Sequence, residues 1–422
     1  MFQKQTLPNG LRIINAPMEG AKSLTVLVLI GTGSKYEIKE NNGISHFLEH
    51  IFFKGTQKRP TTLEITSDLD MVGGAYNAFT SKEFTGFWAK VDPEHGNLVL
   101  DWVSDILLNS KFDAAEIERE KGVIIEEINM YQDTPMQNVW YIWEELLYGD
   151  QPAGWLTLGT KEIIRTMKRE QFLKYLSDQY VAKNTIIVIA GATDKIGDAK
   201  NVVGKYFEKI KKGNFKKKLK VVEKQKKPNL RLGFKETDQS HLVLGFRSYD
   251  IFHKDAYAVS LLATILGGFM SSRLFMEVRE KRGLCYYIRS ANETYTDSGY
   301  LVANAGVDNV RIEEAIKVIL GEFQKVRDEK IPEAEIKKAK DHIKGATILS
   351  LESSDEMASF LGSQEVLKKR LLTPEQFFVK INKVTAEDLQ RVAREIFKPK
   401  NLNLAVIGPF KEEERFKKLL RI

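Results

Sequence analysis

The alternation of apolar and polar positions predicts a sheet at the start of the chain, followed by a helix. Turn residues at positions 8–10 lead into an apolar run at 11–14, and residues 23–30 form a second β-rich run. The glycine-rich residues 31–34 interrupt this pattern, and a helix is predicted to begin after residue 43. The first predicted elements are therefore two strands and a short helix.

The next segments predict a helix, a hairpin and a second, longer helix. Residues 61–71 have a helical pattern that ends at Gly73-Gly74. Residues 76–80 and 84–91 are rich in Phe, Thr and Tyr, and a polar turn separates them. Residues 113–131 carry a helical apolar repeat behind a capping aspartate.

The predicted helix over residues 113–131 carries two carboxylates with helical spacing. Glu120 and Glu127 lie seven residues apart, which is close to two turns, so both share one face. Two interpretations are open at this point. One carboxylate could reach a metal ion while the other supports it from behind, or the face could be a solvated acidic surface.

Two pairs of similar segments indicate an internal duplication. Residues 112–119 resemble residues 331–338 at an offset of 219, and residues 180–184 resemble residues 397–401 at an offset of 217. A nearly constant offset predicts two copies of one unit. Strands and helices mix in each copy without strict βαβ alternation. The predicted fold class is therefore α+β, with two homologous domains, each a mostly antiparallel sheet with helices packed on one face.

The duplication also predicts the domain limits and a chemical difference between the two copies. Residues 1–212 form the first predicted domain, residues 213–229 a basic linker, and residues 230–422 the second, homologous domain. The offset of 219 places Ala339 and Ala346 where the first copy has its two glutamates. The helix predicted after residue 43 contains His46 and His50. The corresponding helix of the second copy, at about residues 255–266, contains no histidine. Only the first copy is expected to bind metal.

Composition narrows the range of function classes. The net charge of +7 in 422 residues comes largely from the lysine-rich linker, so we do not expect a nucleic-acid partner. The single cysteine, Cys285, excludes an intrachain disulfide and fits a reducing compartment. The N-terminus lacks the pattern of a secretion signal, and no apolar segment is long enough to cross a bilayer. We expect a cytoplasmic protein without a membrane partner.

The strongest chemical signal is the segment Gly43–His50, whose end has the order H-x-x-E-H. On a helix His46, Glu49 and His50 project from one face, because they are three and four residues apart. Two neutral imidazoles suit zinc, and a carboxylate that is not a ligand can take a proton from a metal-bound water. This order is the inverzincin signature. The alternative interpretation is that both histidines are ordinary core or surface residues with their hydrogen bonds made. A catalytic zinc site also requires a third protein ligand.

These residues and the duplication resemble the pitrilysin/insulinase (inverzincin) family of zinc metallopeptidases. The resemblance is to its short two-domain members, which are similar to the mitochondrial processing peptidase, and it spans residues 7–11 through 402–408. In that family the third ligand is a glutamate 77 residues beyond the second histidine, which falls on Glu127. The supporting glutamate, seven residues earlier, falls on Glu120.

The resemblance implies one zinc ion per chain. Its ligands would be His46, His50 and Glu127, with Glu49 as the general base and Glu120 as the residue that orients a ligand. It further implies that four residues contact substrate. These are Asn77 and Ala78 on an edge strand that a peptide extends, and Arg279 and Tyr286, which also help to stabilise the oxyanion.

The resemblance implies a zinc metalloendopeptidase that hydrolyses extended or unfolded peptides inside a chamber. Long members of the family enclose this chamber with four domains in one chain, whereas this chain has two. We therefore expect two subunits to form the chamber, and a homodimer is favoured over a heterodimer because both half-sites are present. The alternative is a non-catalytic scaffold or core subunit that retains the fold.

Overall fold

The protein forms two compact units in a computed structural model, which describes residues 2–422. The first unit comprises the chain up to Ile128, Leu156–Leu219 and Ile348–Thr373. The second comprises Asn129–Trp155, Lys220–Thr347 and Pro374–Ile422. Each unit therefore includes a segment from the other half of the chain.

Eleven strands and fifteen α-helices occur within residues 2–422. The strands are β1 Gln3–Thr6, β2 Arg12–Pro17, β3 Leu24–Ile30, β4 Ala75–Thr80, β5 Thr85–Val91, β6 Thr185–Gly191, β7 Asn229–Phe234, β8 Gln239–Ser248, β9 Cys285–Thr294, β10 Gly299–Asp308 and β11 Leu402–Gly408. The helices are α1 Ile44–Ile51, α2 Thr62–Asp70, α3 Gly96–Asn109, α4 Ala114–Asp133, α5 Pro135–Tyr148, α6 Lys161–Thr166, α7 Arg169–Gln179, α8 Ala199–Tyr206, α9 Ala256–Gly267, α10 Ile312–Asp328, α11 Glu333–Ser350, α12 Ser354–Lys368, α13 Pro374–Asn382, α14 Ala386–Ile396 and α15 Glu414–Lys417.

Each unit is built on one mixed sheet. The first sheet has the order β1-β2-β6-β3-β5-β4 and the second the order β7-β11-β8-β10-β9. Apart from β1, the two orders match strand for strand, and in each sheet one neighbouring pair is parallel, β2 with β6 and β7 with β11. The predicted α+β class with two mostly antiparallel sheets is confirmed.

The sheets bury side chains on both faces, as expected for the continuous apolar runs of β3, β6 and β11. In the second unit, α9, α10 and α14 share a core with Leu244 and Phe246 on one face. Helix α5 packs on the other face, where Trp143 meets Val243 and Ala405. In the first unit, α12 packs on β3 and β6.

The single helix on the second face of each sheet was not part of the predicted arrangement. Helix α12 approaches its sheet closely: a Cβ on Gly362 would lie 2.6 Å from Leu29 Cδ1. Amphipathic patterns show that such helices bury a face, but they do not identify the sheet that receives it. A cut within residues 213–229 would remove one helix from each unit.

The helices of residues 2–422 show no candidate for a membrane crossing, since none is long and apolar enough for one.

Candidate metal centre

Helix α1 begins at a turn that a buried carboxylate stabilises. The Glu37 side chain accepts hydrogen bonds from the backbone N–H groups of Gly43 (2.8 Å) and Ser45 (2.9 Å), and from the Asn42 amide (2.9 Å). Gly43 has φ +96°, and a Cβ there would lie 2.5 Å from the carbonyl oxygen of Leu158. A negative charge at this position also complements the helix dipole.

Burial of Glu37 has an electrostatic cost. Its side chain is 2% exposed, and this desolvation raises the pKa of the carboxyl group in spite of the hydrogen bonds that favour its charged form. This residue was not predicted from the sequence. Glu37 lies six positions before Gly43, outside the short spacing of a capping box, so no local signal identified it.

Packing of α1 fixes the direction in which its histidines project. Phe47, Leu48 and Ile51 are fully buried, and the ring of Phe47 meets that of Phe172 edge to face at 4.8 Å. The opposite side carries His46 and His50, whose ring centroids are 4.7 Å apart. The helical spacing and the buried face therefore bring the two imidazoles side by side.

Helix α4 brings the carboxylates seen in the sequence to these imidazoles. Glu127 Oε2 lies 3.5 Å from both His46 Nε2 and His50 Nε2. Glu120 Oε1 lies 3.0 Å from His50 Nδ1, and Glu120 Oε2 accepts a 2.8 Å hydrogen bond from Lys54 Nζ. Ile117, Ile124 and Ile128 are buried and hold the helix in place, so Glu127 and Glu120 face α1 one above the other.

The donor set fits a zinc ion. One atom each from His46, His50 and Glu127 lies within 4.8 Å of the others, and no other such group of three occurs in residues 2–422. A separation of 3.5 Å is long for a hydrogen bond, but it is close to the distance of about 3.4 Å between two donors that share a tetrahedral zinc at about 2.1 Å. The contact of Glu120 with the far nitrogen of His50 matches the support that metal-ligating histidines receive.

The charges of this group are strongly coupled. Burial by itself would lower the pKa of His50, but the hydrogen bonds and charges of Glu120 and Glu127 raise it to about 9. Burial by itself would raise the pKa of Glu127, but His46 and His50 lower it to about 2. The pKa of Glu120 is also lowered, because His50 and Lys54 outweigh its desolvation. The carboxylates are therefore charged in the metal-free protein, and His50 has to release a proton before it can bind a metal ion.

Glu49 projects from the same helix but is held by a different element. Its Oε2 accepts a 2.6 Å hydrogen bond from the hydroxyl group of Thr80, the last residue of β4. Thr80 and Lys54 are two residues at this candidate centre that were not predicted from the sequence. Lys54 follows His50 by four residues, so the spacing of the two histidines continues to it and could have identified it. The contact of Thr80 depends on packing between segments that are distant in the chain.

The predicted substrate residues Asn77 and Ala78 lie on β4, which is an edge strand of the first sheet, at the opposite edge from β1. Asn77 is exposed, whereas Ala78 is 8% exposed. The Asn77 side-chain oxygen accepts a 2.8 Å hydrogen bond from the backbone N–H of Ala78. A side chain therefore occupies this donor at the sheet edge.

Arg279 and Tyr286 lie together in the second unit. Arg279 belongs to a π-helical segment, Phe275–Glu280, and its guanidinium carbon is 4.8 Å from the ring centroid of Phe275 and 5.5 Å from that of Tyr286. Tyr286 is 75% exposed. The pair therefore presents a cation and a phenol group at the surface of this unit.

Sequence comparisons identify the class of protein. A profile described as insulinase (peptidase family M16) matches residues 12–160, and one described as the peptidase M16 inactive domain matches residues 166–343. An uncharacterized zinc protease of Bacillus subtilis, YmxG, is 36% identical over 97% of this chain and 98% of its own length. This chain belongs to the M16 peptidase family.

Two solved structures share the fold. A protease from Helicobacter pylori superposes with a TM-score of 0.90 at 25% identity, covering 97% of this chain and 99% of that one. A chain of Complex III2 from Candida albicans superposes with a TM-score of 0.83 at 17% identity, covering 100% of both chains. The second likeness concerns the fold alone.

Proposed function

We propose that this protein is a zinc-dependent endopeptidase that hydrolyses extended or unfolded peptides. The observation that carries the proposal is the group of His46, His50 and Glu127, with Glu49 on the same helix as the histidines. Three protein ligands are typical of catalytic zinc sites, which keep one position open, whereas structural sites use four. The zinc-protease names of the relatives agree with this choice of metal.

In the proposed reaction Glu49 acts as the general base and Glu120 orients His50. A bound zinc ion would supply a Lewis acid that lowers the pKa of a water molecule toward neutrality. Glu49 accepts a proton from the attacking water, and the hydroxyl group of Thr80 donates a hydrogen bond to Oε2 of the Glu49 carboxylate. The water oxygen bonds to the peptide carbonyl carbon, and the C–N bond then breaks. Glu49 transfers its proton to the leaving amine.

We propose that the substrate binds as an additional strand at β4. An edge strand presents unpaired backbone groups, and a peptide in extended conformation can pair with them. The N–H of Ala78 is bonded only locally, to the Asn77 side chain, which an incoming carbonyl group can replace. Most extended segments of a folded protein are already paired within its own sheets, so unfolded chains should be the preferred substrates.

We propose that Arg279 and Tyr286 complete the site of a second subunit. Their exposure and their position in the unit without zinc ligands support this role, as does the chemistry of a cation and a phenol donor beside a developing oxyanion. A homodimer is the preferred assembly and a heterodimer the alternative. Mixed Glu49→Gln and Arg279→Ala subunits should recover activity, and an active monomer in sedimentation experiments would contradict the shared site.

The proposed compartment is the cytoplasm, because a chain with a single cysteine cannot form an intrachain disulfide and fits a reducing environment. Cys285 is the single cysteine of the sequence, and burial raises the pKa of its thiol to about 11. The thiol therefore stays protonated at neutral pH and is a poor nucleophile.

The test of the proposed function combines metal analysis with peptide hydrolysis. We expect about one zinc per chain and hydrolysis of a long quenched peptide that a chelator abolishes and added zinc restores. Glu49→Gln should lower kcat by about 100-fold to 10,000-fold while zinc stays bound. Glu118→Gln is the matched control, because Glu118 is an exposed glutamate on α4. A zinc-free protein without hydrolytic activity would contradict the proposal.

A non-catalytic scaffold is the second candidate. The likeness to a chain of Complex III2 shows that this fold also occurs in a multi-subunit assembly. A scaffold requires no zinc and no Glu49, so the same experiment separates the two functions. Peptide hydrolysis that is unaffected by Glu49→Gln would favour the scaffold and assign the activity to a contaminant.

A further inference from the structure

The contact between Thr80 and Glu49 connects the edge strand β4 with the proposed general base. The 2.6 Å distance from Thr80 Oγ1 to Glu49 Oε2 is that of a short hydrogen bond to a charged acceptor. The same hydroxyl group lies 3.5 Å from the carbonyl oxygen of Ser45. A hydroxyl group has one proton to donate, and the shorter distance assigns it to Glu49. Thr80 is therefore a donor to this carboxylate.

Thr80 is also held in a fixed position. The turn that follows is closed by hydrogen bonds from the backbone N–H and the hydroxyl group of Ser81 to the carbonyl oxygen of Phe84, at 2.9 and 2.7 Å. On its other side Thr80 is paired with Thr85 of β5. The hydroxyl group of Thr80 is consequently attached to a tight hairpin end.

A neighbouring loop clamps this hairpin end. The backbone N–H of Lys35 donates to the carbonyl oxygen of Lys82 at 2.9 Å, and Lys35 Nζ lies 3.0 Å from Glu83 Oε1. Both side chains of this ion pair are at most 3% exposed. Gly33 permits the approach, since a Cβ there would lie 2.1 Å from the carbonyl oxygen of Ser81. Buried pairs of this kind are costly to separate, so the clamp keeps the turn rigid.

We propose that Thr80 is a positioning residue that holds the Glu49 carboxylate in one orientation for proton transfer. Glu49 is a long side chain with several rotatable bonds, and ordering it before the reaction removes part of the entropic barrier. The restraint comes from the strand to which the substrate is proposed to add, so base and substrate share one rigid frame. The inference rests on the proposed function, because it concerns the base of that reaction.

The predicted effect is on the rate of the chemical step. Thr80→Val keeps the shape of the side chain and removes the donor, so kcat should fall by about 10- to 100-fold, whereas KM should change by less than about twofold. Thr80→Ser restores the hydroxyl group and should recover most of kcat. Zinc content should equal that of the unchanged protein in both variants. A purely structural role would lower stability without this separation of kcat from KM.

Thr85→Val is the matched control. Thr85 is the cross-strand partner of Thr80, and its hydroxyl group donates to the carbonyl oxygen of Thr32 at 2.9 Å instead of to Glu49. This variant also loses a buried hydroxyl group from the same hairpin. It should be less stable than the unchanged protein and should retain its kcat.

Crystal structures of the metal-free, full-length variants give a readout independent of activity. Glu49 should occupy one rotamer in the unchanged protein and in Thr80→Ser, and more than one in Thr80→Val. A single unchanged rotamer in Thr80→Val, or a kcat equal to that of the unchanged protein, would overturn the inference. Equal losses of kcat in Thr80→Val and Thr85→Val would also overturn it. Absence of zinc-dependent hydrolysis in the unchanged protein would refute the proposed function instead, and the rotamers of Glu49 would still decide whether Thr80 orients it.

Discussion

The two units share a strand order but differ in what their equivalent helices carry. Helix α1 presents His46 and His50, whereas its counterpart α9 has an apolar sequence in which most residues from Ala258 to Gly267 are buried. On the paired helices α4 and α11, Ala339 takes the position of Glu120 and is fully buried in the core. The second unit therefore shows that this architecture forms without the two histidines and the Glu120 carboxylate of the candidate metal centre.

The difference extends to the second face of each sheet. In the first unit Glu365 of α12 is fully buried and accepts hydrogen bonds from Lys4 (2.8 Å) and Arg12 (3.1 Å). An offset of 219 places Leu146 at the equivalent position of α5, where it packs against the apolar cluster of the second unit. Lys4 lies on β1, which has no counterpart in the second sheet. The first unit thus buries charge where the second buries hydrocarbon, although buried charge costs free energy unless it is well paired.

Replacing Glu127 with alanine makes the first unit resemble the second, because Ala346 occupies the equivalent position. We expect Glu127→Ala to lose its bound zinc and to lower peptide hydrolysis by at least about a thousandfold, since two ligands remain of three. The metal-free variant should be as stable as the metal-free unchanged protein to within about 1 kcal/mol, because Glu127 is partly exposed. Zinc analysis, hydrolysis rates and chemical denaturation measure the three quantities.

The control for this variant is Glu118→Ala, which removes a glutamate from the exposed side of the same helix. It should keep both zinc and activity. A Glu127→Ala protein that binds zinc as tightly as the unchanged protein would show that the third ligand lies elsewhere, and the comparison of the two units would then lose its chemical meaning.

Glu120→Ala copies the second unit at the supporting position. Removing this carboxylate deprives His50 Nδ1 and Lys54 Nζ of their partner, so zinc affinity should fall by about 10- to 100-fold, less than for Glu127→Ala. Competition with a fluorescent zinc chelator measures the affinity. Glu120→Gln retains one oxygen acceptor, so its zinc affinity should lie between those of Glu120→Ala and the unchanged protein. An affinity equal to that of the unchanged protein would remove Glu120 from the metal centre.

The sequence predicted the local elements, and the grouping of His46, His50 and Glu127, more closely than the contacts around them. The helix expected over residues 61–71 is Thr62–Asp70, capped by Thr61, and the hairpin strands end within a residue of their predicted limits. These features depend on neighbours in the chain, where propensity and periodicity act. The contacts of Glu37 and Thr80 depend on tertiary packing, which a single sequence does not encode as a spacing, whereas Lys54 continues the four-residue spacing of His46 and His50. For the same reason the sequence did not predict that α5 packs in the second unit and α12 in the first.

The smallest expected effect on function belongs to Glu365, which fastens α12 to the first sheet. Glu365→Ala leaves Arg12 with 13% of its side chain exposed and without its carboxylate partner, whereas Lys4, at 35%, can turn to water. The free energy of unfolding should fall by about 2 kcal/mol, the range for a lost hydrogen bond to a charged group. Zinc content and kcat should not change, because Glu365 contacts no residue of the candidate metal centre.

Leu146→Ala in α5 is the matched variant, since it removes apolar contact from the equivalent helix. Urea denaturation of both variants compares the stability that a charged contact gives with the stability that an apolar contact gives. If Glu365→Ala were as stable as the unchanged protein, the buried charge would serve only to select α12 as the helix that covers this sheet.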